Sequence, residues 1–262
     1  MSKGFVLWTL TAFSLVTLSL PTLIVIGASF TAGDIIAFPP DGLSLRWYGE
    51  MWALASFKQA LARTFYVSII CTLVAIPVGT LAAIALARYR FRARTAIQVY
   101  LLLPFTIPLV VSGIAMMLLF GEIRILGQLW PVGMALCIIN LPFMVWAVAA
   151  SVNALDPEIE NAAANCGAGP LAAFLTVTLP AVAPGVITGA LLMFILAFNE
   201  FLVSLFLTDS RTVTLPVQIY NSIRSVITPD LAAVSVLYIL IALAAVWLLD
   251  RLVGLDIFLK SK

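Results

Sequence analysis

Long apolar runs constrain the fold of this chain more than any other feature of its 262 residues. Six segments are almost free of charge, and each reaches the roughly 20 residues that a helix needs to cross the hydrocarbon core of a bilayer. They lie at residues 5–29, 61–87, 96–120, 129–152, 181–207 and 231–249. The pattern predicts an all-α polytopic membrane protein with six transmembrane helices in a single domain, residues 1–262.

The balance of residue types supports this class and excludes others. Apolar residues make up 63% of the chain and charged residues 10%, whereas soluble domains carry about 25% charged residues. A net charge of +2 gives no argument for a nucleic-acid partner. The chain has no histidine, and its 3 cysteines are widely spaced, so no catalytic residue, metal site or cofactor is predicted.

The arginines predict an orientation. Four of them fall within the run RYRFRAR, residues 88–94, and the positive-inside rule places such a loop in the cytoplasm. Lys3 at one end and Arg251, Lys260 and Lys262 at the other agree with this. We therefore expect both termini in the cytoplasm. The segments expected on the opposite side are residues 30–60, 121–128 and 208–230.

Residues 153–180, which this topology places in the cytoplasm, lack the lysines and arginines of an ordinary inside loop. Asp156 suits a helix cap and Pro157 a first helical position. Gly167 suits a left-handed stop, after which Pro170 begins a second helix. The pattern predicts two helices joined by a glycine hinge, and we call residues 153–180 the elbow. Its small residues favour a surface for another protein, and a plain connector is the alternative.

The spacing within the elbow resembles a family signature. Asn161-Ala162-Ala163, three residues, Gly167, nine residues and Val177-x-Leu179-Pro180 is similar to the Glu-Ala-Ala, three residues, Gly, nine residues, Ile-x-Leu-Pro motif of ABC importer permeases. The resemblance implies a type I importer permease fold, in which the elbow is a coupling helix seated in a cleft of a cytoplasmic ATPase subunit. The residues that it assigns to ATPase coupling are Glu160, Asn161, Ala162, Ala163, Gly167 and Ala168.

Two positions depart from that motif. Asn161 stands where the family has glutamate, and Val177 where it has isoleucine. Either Glu160 supplies the acidic contact from a neighbouring angle, or the contact is a neutral hydrogen bond.

The resemblance also implies partners and a location. These are two copies of a cytoplasmic ATP-binding subunit, a second permease expected to be a different chain, an extracytoplasmic solute-binding protein and the lipid of a bacterial inner membrane. The chain lacks a GxxxxGK[ST] loop, which a P-loop nucleotide site would need. We therefore expect ATP hydrolysis in the partner and no enzyme activity in this chain.

Glu200 is the candidate for the substrate path, together with Asn199 and Asn140. A carboxylate at membrane depth costs about 2.5–3.5 kcal/mol, so it should face the bundle interior or a water-filled path. Pairing with an arginine of the opposing subunit is the alternative.

The run TLPVQIYNSIR and the later ITPD look most like permeases of the spermidine/putrescine branch. This resemblance implies a polyamine, an opine or a related amino compound as solute. The Asn-Glu-Phe triplet is also common in sugar permeases, so a sugar-type permease stays open. A secondary transporter and a membrane enzyme are the rivals from other classes.

Overall fold

The computed structural model of the protein describes residues 3–225 and 228–253, and most of these residues are helical. The helices are α1 Lys3–Ala28, α2 Arg46–Ala53, α3 Ala55–Arg88, α4 Arg94–Tyr100, α5 Leu103–Thr106, α6 Leu109–Glu122, α7 Leu129–Ala154, α8 Pro157–Asn165, α9 Pro170–Ala173, α10 Leu179–Phe198, α11 Leu202–Leu207, α12 Leu215–Ser225 and α13 Asp230–Val253. A π-helical turn, Phe174–Thr178, joins α9 to α10. Lys260 and Lys262 lie outside the described residues.

The lengths of the helices confirm the all-α membrane class. Within the described residues, four helices are long and apolar enough to cross a bilayer, and a bent pair raises the number to five. The four are Leu7–Ala28, Ala55–Arg88, Leu129–Ala154 and Pro170–Phe198. The sixth predicted segment corresponds to α13.

The third predicted segment, residues 96–120, is not one straight helix. Arg94–Thr106 and Leu109–Glu122 meet at a bend of 102°. Ile107, between them, has extended dihedrals of −96° and 126° because the ring of Pro108 disfavours a helical conformation in the preceding residue. The chain therefore turns sharply where the apolar composition alone predicts a continuous span.

The fifth predicted segment, residues 181–207, also differs from the structure at both ends. One apolar helix runs from Pro170 to Phe198, so it begins inside the elbow. Pro180 has no N–H to donate to the preceding turn, and the widened turn Phe174–Thr178 lies directly before it. Past Phe198 the helix stops, and Leu202–Leu207 is a separate short helix.

The helices form two compact units. The first comprises Met1–Gln59 and Gln218–Leu243, and the second comprises Ala60–Val217 and Ala244–Lys262. In the second unit the core surrounds α7, where 56% of the most apolar stretch is buried. Buried side chains along this helix include Leu136, Met144 and Val148.

Within the second unit, α7 and α10 make an extensive contact. Two glycines of α10, Gly185 and Gly189, allow it. A Cβ added to Gly185 would lie 2.7 Å from the carbonyl oxygen of Ala147 and 2.5 Å from Oγ of Ser151, so a larger residue would force the helices apart. The predictions above omit this contact, although Gly-x-x-x-Gly spacing is readable in the sequence and is typical of close membrane-helix packing.

In the first unit, residues 29–54 form an ordered connection after α1. The indole Nε1 of Trp47 donates to the carbonyl oxygen of Thr31 at 3.0 Å, and Trp47 is buried. Ser29 Oγ and the Tyr48 hydroxyl are hydrogen-bonded at 2.7 Å. Because these bonds tie both ends of the connection together, its shape does not depend on α1 or α2 alone.

Candidate functional site

The first helix of the elbow begins as its sequence predicts. Oδ1 of Asp156 accepts a hydrogen bond from the backbone N–H of Glu158 at 3.0 Å, and Pro157 occupies the first helical position. This cap satisfies one of the N–H groups that a helix start leaves without a partner. Glu158 and Glu160 follow in the first turn, where negative charge favours the helix dipole.

Gly167 ends this helix in the left-handed conformation, with φ of +89°. Its N–H donates to the carbonyl oxygen of Ala164 at 2.9 Å, and the N–H of Ala168 donates to that of Ala163 at 3.0 Å. This pair of bonds is the Schellman arrangement, which glycine favours because a side chain would be strained at positive φ. The predicted hinge is therefore a defined turn between α8 and α9.

The elbow presents half of its assigned coupling residues to the outside. No residue of α8 is buried. Asn161, Ala162 and Gly167 are exposed, whereas Ala163 and Ala168 are half-buried. The Asn161 amide donates to Oε1 of Glu158 at 3.2 Å, so a neutral amide and a carboxylate lie together on the exposed face.

Glu160 points the other way. Its Oε1 accepts a hydrogen bond from the hydroxyl of Thr178 at 2.8 Å and lies 3.7 Å from Nη2 of Arg88. Thr178 is 5% exposed, so Glu160 reaches back towards the packed part of the unit. The carboxylate fastens α8 to the π turn that begins the long helix.

Arg88 belongs to this arrangement, and the sequence predictions gave it a topological role alone. Its Nη2 also donates to the carbonyl oxygen of Leu155 at 3.2 Å. One guanidinium at the end of α3 thus contacts both the entry to the elbow and its first helix. The sequence does not predict these contacts of Arg88, because they join residues far apart in the chain, where no local period indicates a contact.

Glu200 lies at the break between α10 and α11. Its Oε1 accepts the N–H of Val203 at 2.8 Å, and its Oε2 accepts the N–H and the hydroxyl of Ser204 at 3.0 and 3.1 Å. The carboxylate therefore caps the start of α11 within its own chain. This local role adds a third possibility to the substrate and cross-subunit roles predicted for Glu200.

The other two candidate path residues lie on different elements, Asn199 at the end of α10 and Asn140 in α7. Asn199 is exposed beside Glu200, and its amide donates to the carbonyl oxygen of Ile195 at 3.0 Å. Asn140 is 8% exposed and lies midway along α7. In the part of the chain that the structure describes, no three His, Cys, Asp or Glu residues are grouped so as to hold a metal ion.

Comparison with known sequences gives the chain its relatives. The profile of a family described as "Binding-protein-dependent transport system inner membrane component" matches residues 75–255. The putrescine transport system permease protein of Escherichia coli K12 is 29% identical over 226 residues, which cover 83% of this chain and 79% of the relative. The spermidine/putrescine transport system permease protein of Haemophilus influenzae is 28% identical over 229 residues, or 87% and 89%. The molybdenum transport system permease protein of Mycobacterium bovis is 33% identical over 207 residues, or 73% and 74%.

Comparison with solved structures gives the same fold. A bacterial ABC transporter that imports the acidic polysaccharide alginate aligns with a TM-score of 0.74 at 15% identity, covering 96% of this chain and 98% of its own. An amino acid ABC transporter solved with histidines aligns with a TM-score of 0.61 at 16% identity, covering 79% and 97%. Both are ABC transporters whose fold this chain shares.

Proposed function

Since the chain belongs to the family of binding-protein-dependent transport system inner membrane components and is an ABC importer permease, we propose that its elbow docks on a cytoplasmic ATP-binding subunit and couples ATP hydrolysis there to solute passage. The observation that carries the proposal is the exposure of α8. A capped helix with no buried residue, closed by a glycine turn, gains stability from packing against a second protein.

The geometry favours one of the two alternatives for the acidic contact. Glu160 faces Thr178 and Arg88 of its own chain, whereas Asn161 and Glu158 lie together on the exposed face. We infer that the partner meets the amide of Asn161, supported by Glu158, and that Glu160 positions the helix from behind. Gly167 and Ala168 set the turn, and Ala162 and Ala163 allow close approach.

The solute that we propose is a small amino compound such as a polyamine or an opine. Two of the relatives are named for putrescine, or for spermidine and putrescine, which supports an amine. A relative of similar standing is named for molybdenum transport, so an oxyanion is the second candidate, and a sugar is the third.

The proposed path residues are Glu200, Asn199 and Asn140. A carboxylate has about four acceptor positions, and the contacts to Val203 and Ser204 use three of them. A cationic solute would thus share the Glu200 carboxylate with the start of α11 rather than displace it. We propose that the path forms between this chain and a second permease, with a solute-binding protein delivering the solute.

Docking is tested by co-expressing the chain with its cognate ATP-binding subunit and measuring both co-purification and ATP hydrolysis. We expect recovery of the complex from wild-type chain and its loss when Ala162→Arg places a bulky charge on the exposed face of α8. Leu171→Arg, a change at an equally exposed position on α9, is the matched control. Full recovery of the complex with Ala162→Arg would rule out docking through α8.

The solute is tested by uptake into proteoliposomes that contain the complete complex and its binding protein. We expect ATP-dependent uptake of labelled putrescine or spermidine in preference to molybdate and maltose. Uptake of molybdate or maltose alone would overturn the amino-compound proposal, and uptake that persists without ATP would indicate a secondary transporter.

Orientation is tested with a natural probe. Cys166 in the elbow is exposed, whereas Cys71 and Cys137 are buried. We expect an impermeant thiol reagent added to intact cells to spare Cys166 and to label a cysteine introduced by Asp41→Cys, in the loop proposed to lie outside. Labelling of Cys166 in intact cells would contradict the proposed topology, in which both termini are cytoplasmic.

A further inference from the structure

A small cavity lies within the second unit, close to the arginine-rich run. Its volume is about 130 Å³, and its surface is about half polar. Arg94, Gln98 and Asn153 line it together with the apolar side chains of Leu86, Val145 and Trp146. A guanidinium and two amides around one cavity form a set of hydrogen-bond donors that suits an anion.

Arg94 differs from the other arginine of this region that is not fully exposed. Arg88 contacts Glu160 and the carbonyl oxygen of Leu155. The Nε of Arg94 is buried and has no hydrogen-bond partner among the described residues, and the same holds for the Nε of Arg88, whose contacts are made by its Nη2 atom. A buried donor without a partner is unfavourable, so a ligand that brings an acceptor to this guanidinium gains more than it would at a surface arginine.

The surroundings of the cavity are apolar and aromatic. Trp146, on its wall, is 45% exposed and stacks on Phe105 with ring centroids 5.4 Å apart. Phe105 is 48% exposed, and Tyr100 and Leu102 nearby in the chain are exposed as well. Tryptophan and tyrosine are typical of the membrane–water interface. A polar cavity beside such a surface matches an amphipathic ligand rather than a fully soluble one.

The charge around the cavity sets the sign of that ligand. Arg90 and Arg92, in the same run, are exposed, and basic pockets between helices at the cytoplasmic side of a membrane bind anionic head groups. We propose that this cavity binds the phosphate of an anionic phospholipid. Arg94 pairs with the phosphate, Gln98 and Asn153 donate further hydrogen bonds, and the acyl chains lie along the surface around Trp146 and Phe105. The site does not depend on docking through α8.

The experiment is native mass spectrometry of the full-length chain released from detergent that contains phosphatidylglycerol or phosphatidylcholine. We expect one phosphatidylglycerol to be retained per chain in preference to phosphatidylcholine. Arg94→Gln should weaken retention about ten-fold, because a charge-assisted hydrogen bond is lost. Arg92→Gln, which removes the same charge from an exposed position of the same run, should retain the lipid as the wild type does.

Three results would overturn the proposal. Equal loss of lipid in Arg94→Gln and Arg92→Gln would mean that the charge of the run attracts lipid without a site. Equal retention of both lipids would remove the role of the head group. Displacement of phosphatidylglycerol by millimolar inorganic phosphate would indicate a soluble anion. If Arg94→Gln does not fold, Asn153→Ala decides: weaker retention with unchanged thermal unfolding supports the site, and unchanged retention overturns it.

Discussion

The connection at residues 29–54 and the elbow satisfy their polar groups in opposite ways. In the first, Arg46 contacts Asp34 at 2.8 Å and Glu50 at 2.6 Å, and its guanidinium lies 4.4 Å from the centre of the Trp47 ring. These contacts hold the pKa of Arg46 above its ordinary value, mainly through the hydrogen bond to Glu50. In the elbow, α8 buries no residue, and a single inward carboxylate, Glu160, fastens it.

The difference teaches where each region obtains its stability. Residues 29–54 bury an aromatic side chain and pair their charges with one another, so they hold their shape without help. The elbow has a cap, a glycine turn and one tie to Arg88 and Thr178, and its remaining polar surface is exposed. The cap, the glycine turn and the Glu160 contacts fix the orientation of α8, while its outer surface packs against nothing in the described part of its own chain. A helix that docks on a second protein requires this combination.

The largest effect is expected from Gly167→Pro. Proline cannot reach φ of +89° and lacks the N–H that bonds to Ala164. We expect uptake by the complete complex to be abolished while the chain still inserts in the membrane. Gly167→Ala should lose part of the activity, since left-handed backbone costs an L-residue about 1–2 kcal/mol.

Gly169→Ala is the matched control for this change. A Cβ would meet nothing within 4 Å at either glycine, but Gly169 has an ordinary negative φ of −68°. We expect normal uptake. If Gly167→Pro transports as well as Gly169→Ala, the turn is not needed for coupling, and the contrast between the two regions loses its functional meaning.

A large effect on stability is expected in the other region. Trp47→Ala removes a side chain that is 5% exposed and its hydrogen bond to Thr31, which should cost about 3–5 kcal/mol. Thermal unfolding of the purified chain should show a lowered midpoint. Trp52→Ala, at a position that is 53% exposed, should lower it much less. Equal midpoints for the two variants would show that residues 29–54 are not held by their own core.

The smallest effect concerns the tie behind α8. Glu160→Gln and Arg88→Gln should each weaken binding of the ATP-binding subunit a few-fold. The double variant should lose less than the sum of the two, because the single variants share the loss of the Glu160–Arg88 contact. A direct acidic contact between Glu160 and the partner would give a different pattern, in which Arg88→Gln leaves binding unchanged.

The parts of the molecule that sequence predicts are those fixed within a few residues. The sequence predicts a helix cap at Asp156, a helix start at Pro157 and a helix stop at Gly167, each from the chemistry of one residue. The structure has all three. The apolar runs likewise predict the helices, although Pro108 bends one of them by 102°. The helical type of the elements follows from composition and local period, whereas the breaks within the third and fifth predicted segments do not.

What sequence did not predict depends on contacts between distant parts of the chain. The pairing of Glu160 with Arg88 joins the end of one helix to the elbow, and no spacing rule connects them. The capping contacts of Glu200 were not predicted for another reason. Its acceptor contacts to Val203 and Ser204 are local, but its place in an apolar run directed attention to the cost of burying a charge rather than to capping.

The π turn at Phe174–Thr178 has a mechanical consequence. Such a turn holds one residue more than an α-helical turn. The long helix Pro170–Phe198 therefore contains one extra residue within the part of the elbow that precedes α10. If this turn became α-helical, the residues before Phe174 would rotate by about 100° around the helix axis and shift by about 1.5 Å along it. Thr178, whose hydroxyl donates a hydrogen bond to the Glu160 carboxylate, is the last residue of that turn. A change of register at the π turn would therefore reorient α8 relative to α10 while the hydrogen bonds of α10 stay intact.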